Sequence, residues 1–274
     1  MELVTVRLDG GTRAGRVEGD EVVVLDQPSV GAVLAEPDGL DAAGTADGPR
    51  MPMGEADLAP VIPEPSKIVC VGANYRDHIE EMGRQPPSHP TYFAKFSRSL
   101  AGPHDDLVLP PAEQSTDIDW EGELAVVIGR PTRNVSRDDA LAHVAGFTIL
   151  NDVSVRDWQR RTSQFLAGKA FEGLTPIGPA LVTTDQIGDG SGLALQTLVN
   201  GVVKQDSNTS QLVFDALDAV ADLSSILTLD PGDVIATGTP GGVGAARTPP
   251  EFLRPGDEVV VSIEGLGRLV NRCR

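Results

Sequence analysis

A five-residue apolar run with two acidic residues at its entry constrains this chain more than any other stretch. Leu124 to Ile128 is apolar and rich in β-branched residues, and Gly129 closes it, which is typical of a buried strand. Glu121 and Glu123 stand where this strand begins. Because side chains alternate between the two faces of a strand, both carboxylates are expected on the same face. The fold must therefore hold two like charges beside a buried strand.

A second predicted strand ends on acidic residues as well. Residues 146–152 form an apolar run that closes with Asn151 and Asp152 instead of turn residues. Like charges that share a face repel each other unless a cation lies between them, and a hard divalent cation with oxygen ligands relieves this repulsion. A cation bound by Glu121, Glu123 and Asp152 is therefore one interpretation, and a solvated acidic strand edge is the other. These three residues alone leave both open.

The composition limits the class of protein. With 274 residues the chain can bury one large core, alone or beside a small satellite. No apolar run approaches the ~20 residues that span a bilayer, and the N-terminal residues have no signal-peptide pattern, so we expect a protein without a membrane partner. Two distant cysteines make no disulfide framework, which favours a cytoplasmic location. A formal net charge of −18 argues against a nucleic-acid partner, because that function needs a basic face.

Short strands separated by close turns dominate the rest of the chain. Residues 1–27 alternate in β-like bursts around glycine turns and predict a small meander, whereas residues 37–66 are rich in Pro, Gly, Ala and Asp and predict a covering loop and linker. Asn200 and Gly201 between two β-like runs predict a two-residue hairpin turn. Residues 210–227 have helical spacing and predict one amphipathic helix. We therefore expect a mixed, β-rich α+β fold with mostly antiparallel strands.

Several polar residues on predicted helical turns are candidates for chemistry. His78 and Glu81 are three residues apart and share one face of a short helix, which by itself is typical of a surface pair. Arg156 follows the second acidic strand, where it could contact a substrate carboxylate in bidentate fashion or pair with a neighbouring aspartate. Lys169 is a candidate proton carrier or oxyanion partner if the fold places it near the three acids.

Five short motifs occur along the chain in a specific order. They are VGANYRDH at 71–78, DWEGE at 119–123, NDVSVRDWQ at 151–159, GK at 168–169 and VIATGTPGGVG at 234–244. In this order they resemble the fumarylacetoacetate hydrolase family, and the resemblance runs from about residue 67 to the C-terminus. It implies a β-roll of that family's C-terminal type at residues 67–274, with a small N-terminal β domain and linker at residues 1–66. A homodimer is expected by the same analogy.

The resemblance also implies roles for the acidic residues and for the short helix. It favours the metal interpretation, with Mg²⁺ or Mn²⁺ bound by Glu121, Glu123 and Asp152 and with Ca²⁺ as a further alternative. The position of His78 belongs to a lid in the family. In several members a histidine and a glutamate at the spacing of His78 and Glu81 act as an acid/base dyad. We therefore expect these two residues to be catalytic.

The resemblance also implies a set of residues that bind or stabilise the substrate. Lys169 is the expected catalytic lysine, although the family usually has Asp three residues later and this chain has Glu172, which puts the role of that pair in question. Arg98 is an unusual addition that could meet an anionic substrate group or simply face water. The expected substrate-binding residues are Arg156, Gln159, Gly238 and Thr239.

Together with these residues, the resemblance implies metal-dependent cleavage of a carbon–carbon bond in a small 1,3-dicarbonyl acid, such as an acylpyruvate or a fumarylpyruvate-like compound. A divalent ion would chelate the 2-oxo acid, and His78 would activate water. The main alternative is an isomerase or decarboxylase acting on a 2-oxo or 2-hydroxydienoate acid such as oxaloacetate. A third hypothesis, from another class, is a catalytically idle family member that only binds a metal or ligand. The intact His78, Glu81 and Lys169 argue against it.

Overall fold

One large β-sheet organises the whole chain. The computed structural model covers residues 1–274 and contains an eleven-stranded sheet, a four-stranded sheet and a two-stranded ribbon. The strands in chain order are β1 (Glu2–Leu8), β2 (Gly11–Glu18), β3 (Glu21–Val24), β4 (Arg50–Pro52), β5 (Ile68–Gly72), β6 (Thr91–Lys95), β7 (Leu100–Ala101), β8 (Ile118–Asp119), β9 (Gly122–Ile128), β10 (Val144–Asn151), β11 (Ser154–Val155), β12 (Thr175–Thr183), β13 (Ala194–Val199), β14 (Val202–Asn208), β15 (Val234–Ala236), β16 (Glu258–Ile263) and β17 (Gly267–Arg272).

The strand order of the large sheet places the two acidic strands at its centre. The order is β4-β3-β2-β1-β12-β10-β9-β15-β5-β6, and β7 pairs with β12 outside this path. Only the β15–β5 and β12–β7 pairs are parallel. The four N-terminal strands continue the same sheet, because β1 pairs with β12. A division of the chain into residues 1–66 and 67–274 stays a prediction.

The other two sheets are antiparallel. The four-stranded sheet has the order β14-β13-β16-β17, and β11 pairs with β8 in the ribbon. The predicted hairpin is confirmed: Asn200 and Gly201 join β13 to β14 with φ of 51° and 75°, in the left-handed region that this turn requires.

Eight helices lie at the edges and faces of the sheets, and most are one or two turns long. They are α1 (Val30–Ala35), α2 (Gly39–Thr45), α3 (Arg76–Glu81), α4 (Arg137–Ala140), α5 (Arg156–Gln159), α6 (Leu166–Lys169), α7 (Thr184–Ile187) and α8 (Ala216–Ile226). None of them is long and apolar enough to span a lipid bilayer. The mixed, sheet-dominated fold that the sequence predicts is confirmed.

The helix predicted at residues 210–227 begins later than its apolar spacing indicated. The Asp215 carboxylate accepts a hydrogen bond from the Asp218 amide, and Asp218 returns one to the Asp215 amide. This capping box starts α8 at Ala216. Leu212, which fits the helical spacing, instead forms an isolated bridge with Tyr75. The preceding segment therefore pairs with the residues just before α3 and does not belong to α8.

The central strand β9 is buried on both faces, which explains its unbroken apolar run. Leu124, Val126 and Ile128 pack in one core with residues of α8 and the four-stranded sheet. Ala125 and Val127 pack in a second core with residues of α1 and the segment before β5. Because successive side chains alternate between faces, both halves of the strand must be apolar. Only its N-terminal end, where the acids lie, opens towards a cavity.

Candidate metal centre and active site

Antiparallel pairing of β9 with β10 brings the three predicted acids together. In the register of this pair, Glu123 lies opposite Leu150 and Gly122 lies opposite Asn151. One step further, the Asp152 amide donates to the Glu121 carbonyl oxygen at 2.8 Å. The oxygens that Glu121, Glu123 and Asp152 can offer to one cation all lie within 4.8 Å of one another, and all three residues are buried. The structure therefore excludes the interpretation of these three acids as a solvated strand edge.

Three buried cations surround these acids. Lys169 Nζ lies 2.6 Å from Glu121 Oε2 and 2.7 Å from Asp152 Oδ2. Lys95 Nζ donates to the other oxygen of Asp152 at 2.7 Å. The Arg156 guanidinium pairs with Glu121 at 2.7 Å, and its Nε donates to Asp119 at 2.8 Å. With Asp119 included, four buried acids face three buried cations, so the centre has an excess of one negative charge when all are ionised.

The cations are distributed unevenly over the acids. Burial raises the pKa of Glu121, but Arg156 and Lys169 lower it by more, to about 2. Glu123 has no cationic partner, and its only hydrogen bond comes from the Gly238 amide at 2.8 Å. Burial therefore raises the pKa of Glu123 well above its ordinary value, and the neighbouring Asp152 and Glu121 raise it further. Glu123 is the acid that most lacks positive charge.

The acidic cluster fits a hard divalent cation. All three potential ligands are carboxylates, and oxygen ligands are what Mg²⁺, Mn²⁺ and Ca²⁺ prefer. A cation on this cluster would offset the cost of burying the Glu123 charge and its repulsion by Asp152 and Glu121. The residues that would hold it are Glu121, Glu123 and Asp152, and the structure alone does not select one of the three metals.

Glu123→Gln tests this fit directly. In metal-free protein we expect the melting temperature to be no lower than that of the wild type, because the neutral amide removes a buried charge that has no cationic partner. Added Mg²⁺ or Mn²⁺ should stabilise the wild type by about 2.7 kcal/mol at a hundred times its Kd, and the variant much less. The measurement is thermal unfolding in EDTA and in each metal.

Glu172→Gln is the matched control, because Glu172 is exposed and lies outside the cluster. It should keep the full response to metal. An equal metal-induced stabilisation of Glu123→Gln and wild type would contradict the assignment of Glu123 as a ligand.

The two residues predicted to act as an acid/base pair are in contact and line the same cavity. His78 Nδ1 lies 3.1 Å from Glu81 Oε2, and the histidine is buried. Burial raises the pKa of Glu81, but hydrogen bonds from His78 and from the Gly242 amide lower it below its ordinary value. Because an ionised carboxylate only accepts, the Nδ1 atom of His78 must carry the proton. The Nε2 atom, which has no hydrogen-bond partner in the chain, is then free to act as a base.

The helix α3 that carries this pair is tied to the glycine-rich loop after β15. Asp77 accepts hydrogen bonds from the Ser207 hydroxyl at 2.6 Å and from the Gly241 amide at 3.3 Å. Glu81 accepts from the Gly242 amide at 3.1 Å. These contacts hold α3 against β14 and against the loop.

A cavity of about 690 Å³ joins the acidic cluster to the His78–Glu81 pair. Eight of the ten residues that the sequence predicted for the site line this cavity, and Asp152 and Gly238 lie behind its wall. Gln159 accepts from Arg156 at 3.0 Å, which leaves its amide NH₂ group without a partner in the chain. The volume is within the range of small-molecule sites.

The two predicted substrate-binding residues of the glycine-rich loop already have partners in the protein. The Gly238 amide donates to Glu123, and the Thr239 hydroxyl donates to the Gly122 carbonyl at 3.0 Å. Thr239 also accepts from Gln205 at 2.8 Å, and Gln205 accepts from the Gly122 amide at 3.0 Å. These bonds fasten the loop to the entry of β9. A direct substrate contact by Gly238 or Thr239 stays a prediction.

Three residues of the centre were not assigned from the sequence. Lys95 lies at the end of β6, and a lysine closing a mostly apolar strand was the available signal. Asp119 lies in the DWEGE motif and accepts from the Gly244 amide at 2.7 Å and the Ala245 amide at 3.0 Å, in addition to Arg156. Gln205 had no local signal, because its role depends on the packing of β14 against β9.

Two open questions about side chains have structural answers. Glu172 is exposed and does not contact Lys169, whose two acidic partners are Glu121 and Asp152. The exchange of the usual Asp for Glu at this position therefore leaves the lysine's ion pairs intact. Arg98 is exposed and does not line the cavity.

Gly168 has no room for a Cβ atom, which would lie 2.5 Å from the Gln159 nitrogen, and this close approach lets Lys169 reach the acids.

Comparison with known proteins gives a consistent result. The model of the family described as "Fumarylacetoacetate (FAA) hydrolase C-terminal" matches residues 67–274. The human mitochondrial oxaloacetate tautomerase FAHD2A is 49% identical over 226 residues, which cover 82% of this chain and 71% of that protein. The fumarylacetoacetate hydrolase of Exiguobacterium antarcticum has a TM-score of 0.87 at 35% identity, covering 100% of this chain and 99% of that one. The maleylpyruvate hydrolase of Sphingobium sp. SYK-6, solved with manganese(II) and pyruvate, has a TM-score of 0.80 at 30% identity, covering 100% and 98%.

Proposed function

We propose that this chain, which belongs to the fumarylacetoacetate hydrolase family, is a metal-dependent tautomerase that interconverts the enol and keto forms of oxaloacetate. The observation that carries the proposal is the His78–Glu81 pair, which opens on the same cavity as the buried acids. Tautomerisation needs a group that moves a proton to and from carbon, beside positive charge that stabilises the enolate oxygen. The 49% identity to the human oxaloacetate tautomerase supports this substrate.

His78 is the residue that we assign to proton transfer. Its Nδ1–H bond to Glu81 orients the ring and leaves Nε2 as the base. Nε2 takes a proton from the C3 carbon of the keto acid and delivers a proton to the C2 oxygen, which gives the enol; in the reverse direction it takes the enol proton and delivers one to C3. Glu81 stabilises the imidazolium that exists between the two transfers, because its lowered pKa keeps it ionised.

Lys169 and Arg156 provide positive charge at the inner end of the cavity. A divalent cation held by Glu121, Glu123 and Asp152 would add charge next to the 2-oxo acid group. Burial lowers the pKa of Lys169, but Asp152 and Glu121 raise it by more, so the lysine stays protonated. Two of its three N–H groups bind these acids, and the third remains for the substrate oxygen.

Carbon–carbon bond hydrolysis, the function that the sequence favoured, is the second candidate. The same Nε2 atom could activate water, and the maleylpyruvate hydrolase of similar fold supports this reaction class. Decarboxylation would need the same inner charges but no water. A catalytically idle protein is disfavoured, because the His78–Glu81 pair and Lys169 are both in place. The homodimer and the cytoplasmic location stay predictions.

The decisive assay follows enol oxaloacetate in the ultraviolet while pyruvate release is measured in the same sample. With Mg²⁺ or Mn²⁺ we expect ketonisation well above the buffer rate without matching pyruvate release. EDTA should abolish the acceleration and fresh metal should restore it. Parallel incubations with acylpyruvates report hydrolysis. Turnover of acylpyruvates with no effect on enol oxaloacetate would reject the tautomerase and leave the hydrolase.

A further inference from the structure

Two arginines on the cavity wall have no acidic partner. Arg84 and Arg160 line the cavity that contains the acids, and neither side chain forms an ion pair or hydrogen bond within the chain. The two inner cations, in contrast, already have acidic partners. Arg156 pairs with Asp119 and Glu121, and Lys169 pairs with Glu121 and Asp152. In a protein with a net charge of −18, two arginines without partners on one concave surface indicate a place for an anion.

The backbone relates these arginines to the inner site. The Arg160 amide donates to the Arg156 carbonyl at 3.1 Å, so Arg160, which caps the C-terminus of α5, lies one helical turn after Arg156. Residues four apart share a helix face, with about 5–6 Å between their Cβ atoms. Arg84 follows the helix of His78 and Glu81, and its amide donates to the Ile79 carbonyl at 3.0 Å. Arg160 thus lies directly after α5, and Arg84 lies three residues after the end of α3.

We infer that Arg84 and Arg160 form a subsite for the second carboxylate of the substrate, so that the enzyme selects dicarboxylates over monocarboxylates. The planar guanidinium fork matches a carboxylate in geometry and charge. One helical turn from Arg156 is comparable to the separation of the two carboxylates in a four-carbon acid. The inference rests on the proposed function only in placing the 2-oxo end of the substrate at the inner acids. An anion bound by both arginines would also join the His78 helix to α5.

The test compares two probes that do not turn over, (S)-malate and (S)-lactate, which differ by one carboxylate. Calorimetry in Mg²⁺ should show that the wild type binds malate about tenfold or more tightly than lactate. Arg160→Met and Arg84→Met should each reduce this ratio by weakening malate binding alone. Arg161→Met is the matched control, since its guanidinium lies 3.4 Å from the Trp158 ring centroid and does not line the cavity. It should keep the ratio of the wild type.

Kinetics separate this inference from the proposed function. If oxaloacetate is the substrate, Arg160→Met should raise its KM about tenfold with kcat nearly unchanged. If the wild type does not tautomerise oxaloacetate but the malate preference is present and disappears in Arg160→Met, the subsite stands and the proposed reaction fails. Equal binding of malate and lactate by the wild type overturns the subsite. So does an unchanged preference in the double variant of Arg84 and Arg160.

Discussion

Asp152→Asn is expected to lower the melting temperature of the metal-free protein by on the order of 10 °C and to abolish activity. Asp152 is fully buried, and its two oxygens accept from Lys95 and Lys169, both at 2.7 Å. The neutral amide would leave the buried ammonium groups of Lys95 and Lys169 with less negative charge around them. Removing one member of a buried ion pair costs about 3–5 kcal/mol, which is the source of the expected shift.

Two comparisons make this result specific. Asp157→Asn is the matched control, because Asp157 is half-buried and accepts only from the Ser115 hydroxyl, at 2.6 Å. It should change the stability by about 1 kcal/mol or less. Glu123→Gln, at the same centre, should cost no stability in metal-free protein, since Glu123 has no cationic partner. An unchanged melting temperature for Asp152→Asn in EDTA would show that the two lysines do not depend on it.

His78→Ala is expected to reduce kcat by about 10²-fold or more, which is the usual contribution of a general acid or base. The affinity for Mg²⁺ or Mn²⁺ should be unaffected, because His78 is not among the three ligands that cluster. Glu81→Gln should lower kcat less, since an amide oxygen can still accept from Nδ1 although it no longer stabilises the charged ring. The measurements are steady-state ketonisation of enol oxaloacetate and calorimetry with metal.

The control for His78→Ala is His89→Ala, in the loop that follows the same helix. His89 is exposed and does not line the cavity, so its removal should leave kcat at the wild-type value. A wild-type kcat for His78→Ala would transfer the proton-moving role to another group, and Lys169 would then be the next residue to test.

The fold could be predicted in part because its signals are local. Two of these signals are the apolar runs that form β9 and β10, and a third is the Asn200–Gly201 turn. Each depends only on neighbouring residues, and the structure confirms all three. The predicted start of α8, at residue 210, was wrong for a reason that is also local. Its capping box at Asp215 and Asp218 is a clear signal, but the apolar spacing continued through the preceding segment and hid it.

The burial of His78 could not be predicted from its surroundings in the sequence. A histidine beside a glutamate on a short helix is typical of a surface pair. In the structure α3 is held against the loop after β15, and this contact buries the imidazole. The bonds of Asp77 and Glu81 to glycine amides of that loop join parts of the chain that are far apart, and no local pattern reports them.

By itself the sequence determined which residues form the acidic cluster. The order of the five motifs and the alternation along two strands identified Glu121, Glu123 and Asp152 as a group. Only the tertiary structure decided how charge is shared among them: Lys95 and Lys169 flank Asp152, whereas Glu123 has no cation. The reason is physical. Strand periodicity depends on adjacent residues, but the energy of a buried charge depends on every group within a few ångströms, and packing of distant segments selects those groups.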